Sequence, residues 1–161
     1  MAATLIVYYS LEGNIAFVAE ALAKQLGAEV YRLETVKEYP KKGLLKFLHG
    51  GRDASLGFKP ELKGTLPDLS GYEQVIVGTP VWAGKPSAPL AAFLDKVDFT
   101  GKKVSAFASS AGGSAEKCLA AIRAAAERKG AAFGAVQSFV NPLRSPESAL
   151  EAVKTFAAQL Q

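Results

Sequence analysis

Short apolar runs and amphipathic stretches alternate five times along this chain. Thr4-Leu5-Ile6-Val7-Tyr8-Tyr9 is an apolar run, and behind it Ile15, Val18, Ala19, Leu22 and Leu26 recur at the spacing of one helical face. The first reads as a strand and the second as a helix. Glu29–Leu33, Gln74–Gly78, Lys103–Ala108 and Ala132–Val140 repeat the strand pattern. Helical stretches follow the last three, over Ala88–Lys96, the alanine-rich Ser114–Lys129, and Pro146–Leu160. Ser145 and Pro146 suit the N-cap and first position of that last helix. Strands too apolar to have a wet face, each followed by a helix, predict an α/β fold: an open five-stranded parallel sheet, doubly wound, with helices on both faces. In such sheets ligands bind at the carboxyl ends of the strands, where the winding direction switches.

The rhythm breaks between Glu34 and Ser70, a connection about twice what one crossover helix requires. A helix over Lys42–Leu48 and an irregular stretch from Gly50-Gly51-Arg52 onward are expected there. The same segment concentrates the charge. From Glu34 to Lys63, Lys37, Lys41, Lys42, Lys46, Arg52, Lys59 and Lys63 face Glu34, Glu38, Asp53 and Glu61, which leaves +3 of the chain's net +4.

At 161 residues the whole of 1–161 fits one domain able to bury a full core. Hydrophobic residues make up 49% and charged residues 21%, an ordinary balance for a water-soluble protein. No apolar stretch is long enough to span a bilayer, and Met1-Ala2-Ala3 leads into a strand with no basic or cleavage pattern. A cytoplasmic location is expected. Cys118 and His49 are the sole cysteine and histidine, so intramolecular disulfides and cysteine metal clusters are excluded and nucleophile–histidine triads are not expected. Cys118 falls on the apolar side of its helix and is expected to be buried. His49 reads as a surface or loop residue. No catalytic residue and no metal site is expected.

Candidate chemistry sits instead in three turns at strand ends. Ser10-Leu11-Glu12-Gly13-Asn14-Ile15 joins the first strand to the first helix, whose unpaired N-terminal amides and dipole suit a phosphate. Thr79-Pro80-Val81-Trp82-Ala83-Gly84 carries the only tryptophan, and Ser109-Ser110-Ala111-Gly112-Gly113 offers small residues and backbone donors. With the order of elements, these loops resemble those of the flavodoxin family, and the run from Thr79 to Pro86 is similar to that of bacterial short-chain members. The resemblance implies a Rossmann-like flavoprotein that binds FMN and carries one or two electrons between proteins. It assigns the phosphate to the first loop, where Ser10, Gly13 and Asn14 keep the pattern. Trp82 would stack on the isoalloxazine, and the third loop would meet its pyrimidine edge.

Two positions depart from the pattern. Glu12 puts a carboxylate where a hydroxyl is usual, and Ile15 lacks the final hydroxyl. Like charges about 4 Å apart repel by roughly 4 kcal/mol at an effective dielectric of 20, so Glu12 must face solvent or find a cation. The expected partners are redox proteins, acidic ones docking on the basic 34–63 segment, with neither nucleic acid nor membrane as a partner and the chain a monomer or weak homodimer. Two alternatives stay open. One is an NAD(P)H-dependent FMN or quinone reductase, an oxidoreductase in which Lys85, Arg52 or the basic segment meets nucleotide phosphates. The other is a cofactor-free binding protein on the same scaffold.

Overall fold

The computed structural model describes residues 3–40 and 43–161, with the backbone alone for 43–49. Six strands and five helices follow in the order β1 (Thr4–Tyr8), α1 (Asn14–Leu26), β2 (Glu29–Arg32), α2 (Gly43–Leu56), β3 (Gln74–Trp82), β4 (Lys85–Pro86), α3 (Ala88–Lys96), β5 (Lys103–Ser110), α4 (Glu116–Arg128), β6 (Ala132–Val140) and α5 (Pro146–Leu160). Five strands pair in parallel in the order β2-β1-β3-β5-β6. The expected doubly wound sheet is therefore present. β4 is an addition to it: an antiparallel arm two residues long, paired with the end of β3.

The strands' period of two sorts the core into two layers. Ile6, Tyr8, Ile76 and Phe107 face α1 and α5, where Val18, Leu22, Val153 and Phe156 cover them. Leu5, Val7, Tyr9, Val75, Val77, Val104 and Ala106 face the other way, against Leu90 and Phe93 of α3 and Cys118 and Ile122 of α4. Winding reverses between β1 and β3, which opens a crevice above their carboxyl ends.

β3 runs four residues beyond its expected end, because Thr79 and Pro80 continue the ladder with Ala108 and Ser109. The turn itself is only Ala83-Gly84. Trp82 pairs with Lys85 across it, and both turn residues have positive φ, 51° and 77°, as a tight two-residue hairpin requires. α2 also runs longer than expected, helical through Gly50, Gly51 and Arg52 to Leu56; Lys41 and Lys42 lie outside the described residues. The long connection is tied to itself by an antiparallel bridge between Thr35 and Leu62, with bonds from the Val36 amide to the Glu61 carbonyl and from the Lys63 amide to the Glu34 carbonyl. It is tied to the sheet's edge by the Tyr31 hydroxyl on the Thr65 carbonyl, 2.6 Å, and the Tyr72 hydroxyl on Glu29, 2.8 Å.

β5 and β6 slip register between Val104 and Ala106, and the buried Ser105 Oγ accepts the Ala135 amide at 3.1 Å within that irregularity. Ser145 takes the N-cap position of α5, with Pro146 behind it, although its hydroxyl makes no capping bond. α4 starts two residues later than expected, after the Ser114 Oγ has accepted the Glu116 amide. No helix among the described residues is long and apolar enough to cross a membrane.

Gly78 is buried in β3 beside Phe107 of β5. A Cβ added there would drive into the ring of Phe107, which is itself held edge-on by Phe139 and Phe156. With no rotamer to retreat to, Gly78→Ala is expected to destabilise the protein by about 1–3 kcal/mol, read from the midpoint of urea unfolding.

Candidate functional site

The first turn is held before anything binds. Ser10 Oγ accepts the amides of Gly13 (3.2 Å) and Ala16 (3.1 Å), the second lying in the first turn of α1. Gly13, at the N-cap with φ 100°, makes a bend that side chains avoid. From β2, Arg32 donates to the Ser10 carbonyl at 2.8 Å, with its guanidinium 5.9 Å from the Tyr8 ring centre. Ser10 therefore satisfies two of the helix's leading donors. Ser10 itself and Leu11, Glu12, Asn14 and Ile15 line the adjoining cavity.

That cavity, about 430 Å³, lies over the carboxyl ends of β1, β3, β5 and β6. It brings together Ser10, Leu11, Glu12, Asn14 and Ile15 from the first turn, Pro80, Val81, Trp82 and Ala83 from the second, and Ser109, Ser110 and Ala111 from the third. Five expected site residues do not line it. Thr79 is fully buried, its hydroxyl joined to Ser87 Oγ at 2.9 Å and accepting the Ser87 amide, so it holds β3 to the start of α3. Gly13 and Gly84 shape their turns from behind. Gly112 and Gly113 belong to the outer part of the third loop, which closes as Ser110 Oγ donates to the Gly113 carbonyl at 2.7 Å.

Ile15 lines the cavity with its backbone side while its side chain, 1% exposed, sits in the core with Val18 and Leu22. A hydroxyl there would come at the expense of packing, so the departure at this position has a structural cause. Trp82 is 9% exposed. Its ring meets Tyr39 edge-on at 4.9 Å and Tyr9 at 5.7 Å, and a Cβ added to Gly50 of α2 would approach its six-membered ring to 3.0–3.2 Å. The indole is thus both cavity wall and part of an aromatic cluster that extends into the long connection.

A fourth segment, between β6 and α5, completes the cavity and carried no sequence signal: Asn141, Leu143 and Arg144 line it, as does Gly51 of α2. The Leu143 amide donates to Asn14 Oδ1 at 3.1 Å, so the first turn and this segment are bonded across 129 residues of sequence. The side-chain oxygen of Asn14 was legible as polar, but its partner was not.

The chain's one cysteine is buried in α4. Burial pushes the Cys118 thiol up to about 12, which keeps it protonated. The described residues contain no group of metal-ligating side chains, and the His49 side chain lies outside them.

The chain belongs to the flavodoxin family, whose model matches residues 3–135. Among solved structures, it is similar to a flavoprotein in complex with FMN from Lactobacillus acidophilus, with TM-score 0.74 and 23% identity over 90% of this chain and 98% of that one. It is also similar to oxidised flavodoxin 2 from Bacillus cereus, with TM-score 0.67 and 20% identity over 98% and 97%. A curated relative named NAD(P)H dehydrogenase (quinone), from Cupriavidus metallidurans, is 33% identical over 102 residues, 60% of this chain and 47% of the relative. The chain spans about half the length of the curated relatives it matches.

The aromatic cluster has a signature in pH. Burial first, and then donation to Asp53 Oδ2 at 2.7 Å, raises the Tyr39 phenol well above its ordinary value; burial pushes Tyr9 up to about 12, with Arg32 opposing. Unfolded phenols ionise near pH 10. Folding therefore favours the protonated form, and the stability this contributes is fully present below pH 10 and lost as pH climbs through 12. The unfolding midpoint is expected to fall over that interval, and Tyr39→Phe to flatten the fall. A tyrosinate absorbance titration should show phenols among the chain's five ionising late.

Proposed function

We propose that this chain binds FMN in the cavity at the carboxyl ends and serves as an electron carrier between proteins. The observation that carries this is the coincidence in one cavity of four amide-bearing residues at the start of α1 with the tryptophan wall and the small residues of the third loop. The described residues form one such binding domain, its two apolar layers sharing a single sheet. FMN, when bound, supplies the electron chemistry. The protein's residues hold and screen it. The amides of Leu11, Glu12, Asn14 and Ile15 suit the phosphate, Trp82 with Val81 and Ala83 shields one side of the ring from water, and Ser109, Ser110 and Ala111 border its polar edge.

The names of the curated relatives favour a second reading, an NAD(P)H-dependent quinone reductase. A steady-state assay separates the two, since a carrier supplied with NADPH and a quinone turns over negligibly. For the FMN reading, titration of the flavin-free protein is expected to show tighter binding of FMN than of riboflavin, and quenching of Trp82, the only tryptophan. Equal affinities with unchanged tryptophan emission would count against the site.

The partner surface proposed is the 34–63 segment. It exposes Val36, Leu56 and Phe58 beside its cations, an arrangement suited to an acidic surface with apolar contacts. Part of its charge is already matched, because Arg52 meets Asp53 at 3.2 Å, Lys63 meets Glu34 at 3.7 Å and Lys59 meets Asp95 at 3.4 Å. Lys41 and Lys42 lie outside the described residues, as does the side chain of Lys46. Oxidation of the reduced, FMN-loaded protein by anionic ferricyanide is expected to slow as salt rises and the Debye length shrinks from about 30 Å at 0.01 M to 10 Å at 0.1 M. A cationic oxidant should show the opposite trend.

A further inference from the structure

The first turn lacks hydroxyls at positions 12 and 15, yet the cavity it faces holds a cation. Arg144 lines it, the cation among the described lining residues. The segment that carries Arg144 is fixed at four points. The Asn141 amide donates to the Ser110 carbonyl at 3.0 Å, and the Asn141 side-chain amide reaches the Ala111 carbonyl at 3.4 Å. The Arg144 amide closes a turn on the Asn141 carbonyl at 2.8 Å, and the Leu143 amide is bonded to Asn14. Asn141 itself has φ 42°, a left-handed conformation that asparagine tolerates better than most residues. Leu143 packs on the first turn, its Cδ1 3.5 Å from where a Cβ on Gly13 would stand.

We propose that Arg144 is the counter-ion of the FMN phosphate, a specificity-determining residue that replaces the binding lost where positions 12 and 15 lack hydroxyls. The proposal rests on the FMN reading above. Its physics is distinct from the helix amides, which are neutral donors. A guanidinium stays charged at every working pH and presents paired donors to phosphate oxygens. Arg32, the nearby alternative, is committed to the Ser10 carbonyl and does not line the cavity. Arg144 is exposed, so its removal leaves the core intact.

The test is fluorescence titration of flavin-free wild type, Arg144→Gln and Arg144→Lys with FMN and with riboflavin, at low and high salt. The glutamine variant is expected to bind FMN about tenfold to a hundredfold more weakly, the worth of a charge-assisted bond, with riboflavin affinity unchanged. Its FMN affinity should also lose salt dependence, and lysine should restore part of both. A glutamine variant that keeps the wild-type preference for FMN over riboflavin overturns the role of Arg144 while leaving the FMN site standing. A wild type that binds FMN no better than riboflavin overturns both. Weaker binding of both flavins in equal measure marks Arg144 as structural only and likewise overturns the proposal.

Discussion

Parallel pairing of β1, β3 and β5 imposes the constraint from which the rest of this structure follows. Central parallel strands bury both faces, and here Ile6, Val7, Ile76 and Val77 are all inaccessible to solvent. Burying each such side chain is worth about 1.5–3 kcal/mol, so helices must cover the sheet on both sides. The chain can do that only by winding one way from β1 and the other way from β3. No crossover helix can roof the seam between the two directions, and the cavity occupies that seam. It is a consequence of how the core is closed, and its walls stand on the ends of the sheet's central strands.

At the seam, one helix end has more donors than its own backbone can use. Ser10 takes two of them, accepting the amides of Gly13 and Ala16, and the residues between and before line the cavity. Arg32 fixes the carbonyl of the same serine, and Asn14 ties the turn to Leu143. Four bonds, from α1, β2 and the segment before α5, leave little for a ligand to order. Preorganisation of that kind lowers the entropic cost of binding.

Much of the fold was legible because its signals are periodic. Alternation of apolar runs with helical faces located five strands and four of the helices, and the three glycine-bearing turns located most of the cavity wall. What escaped was of another kind. Thr79-Pro80 looked like a loop because proline donates no ladder bond, yet Pro80 pairs with Ser109 and the strand continues to Trp82. Gly50-Gly51 looked like a break in α2, although tertiary contact with Trp82 favours a residue without a side chain there. Asn141, Leu143 and Arg144 were invisible as a site because their role is set by the parallel return of β6 beside β5, a long-range fact that no local pattern encodes. Ile15 was misleading in the opposite sense, a motif position whose side chain belongs to the core.

The long connection links these matters. It supplies Tyr39 and Gly50 to the aromatic cluster around Trp82, and Tyr39 is anchored in turn by Asp53 of α2. Gly50 allows the helix backbone to rest directly on the indole face, so α2 and the cavity wall are in contact without an intervening side chain. The segment that concentrates positive charge in the sequence is therefore the outer layer of the cavity's aromatic wall. Whatever docks on its exposed Leu56 and Phe58 docks on the helix end and turn that continue from the backbone touching Trp82. The proposed partner surface and the cavity wall are thus joined by packing, through Gly50, Asp53 and Tyr39.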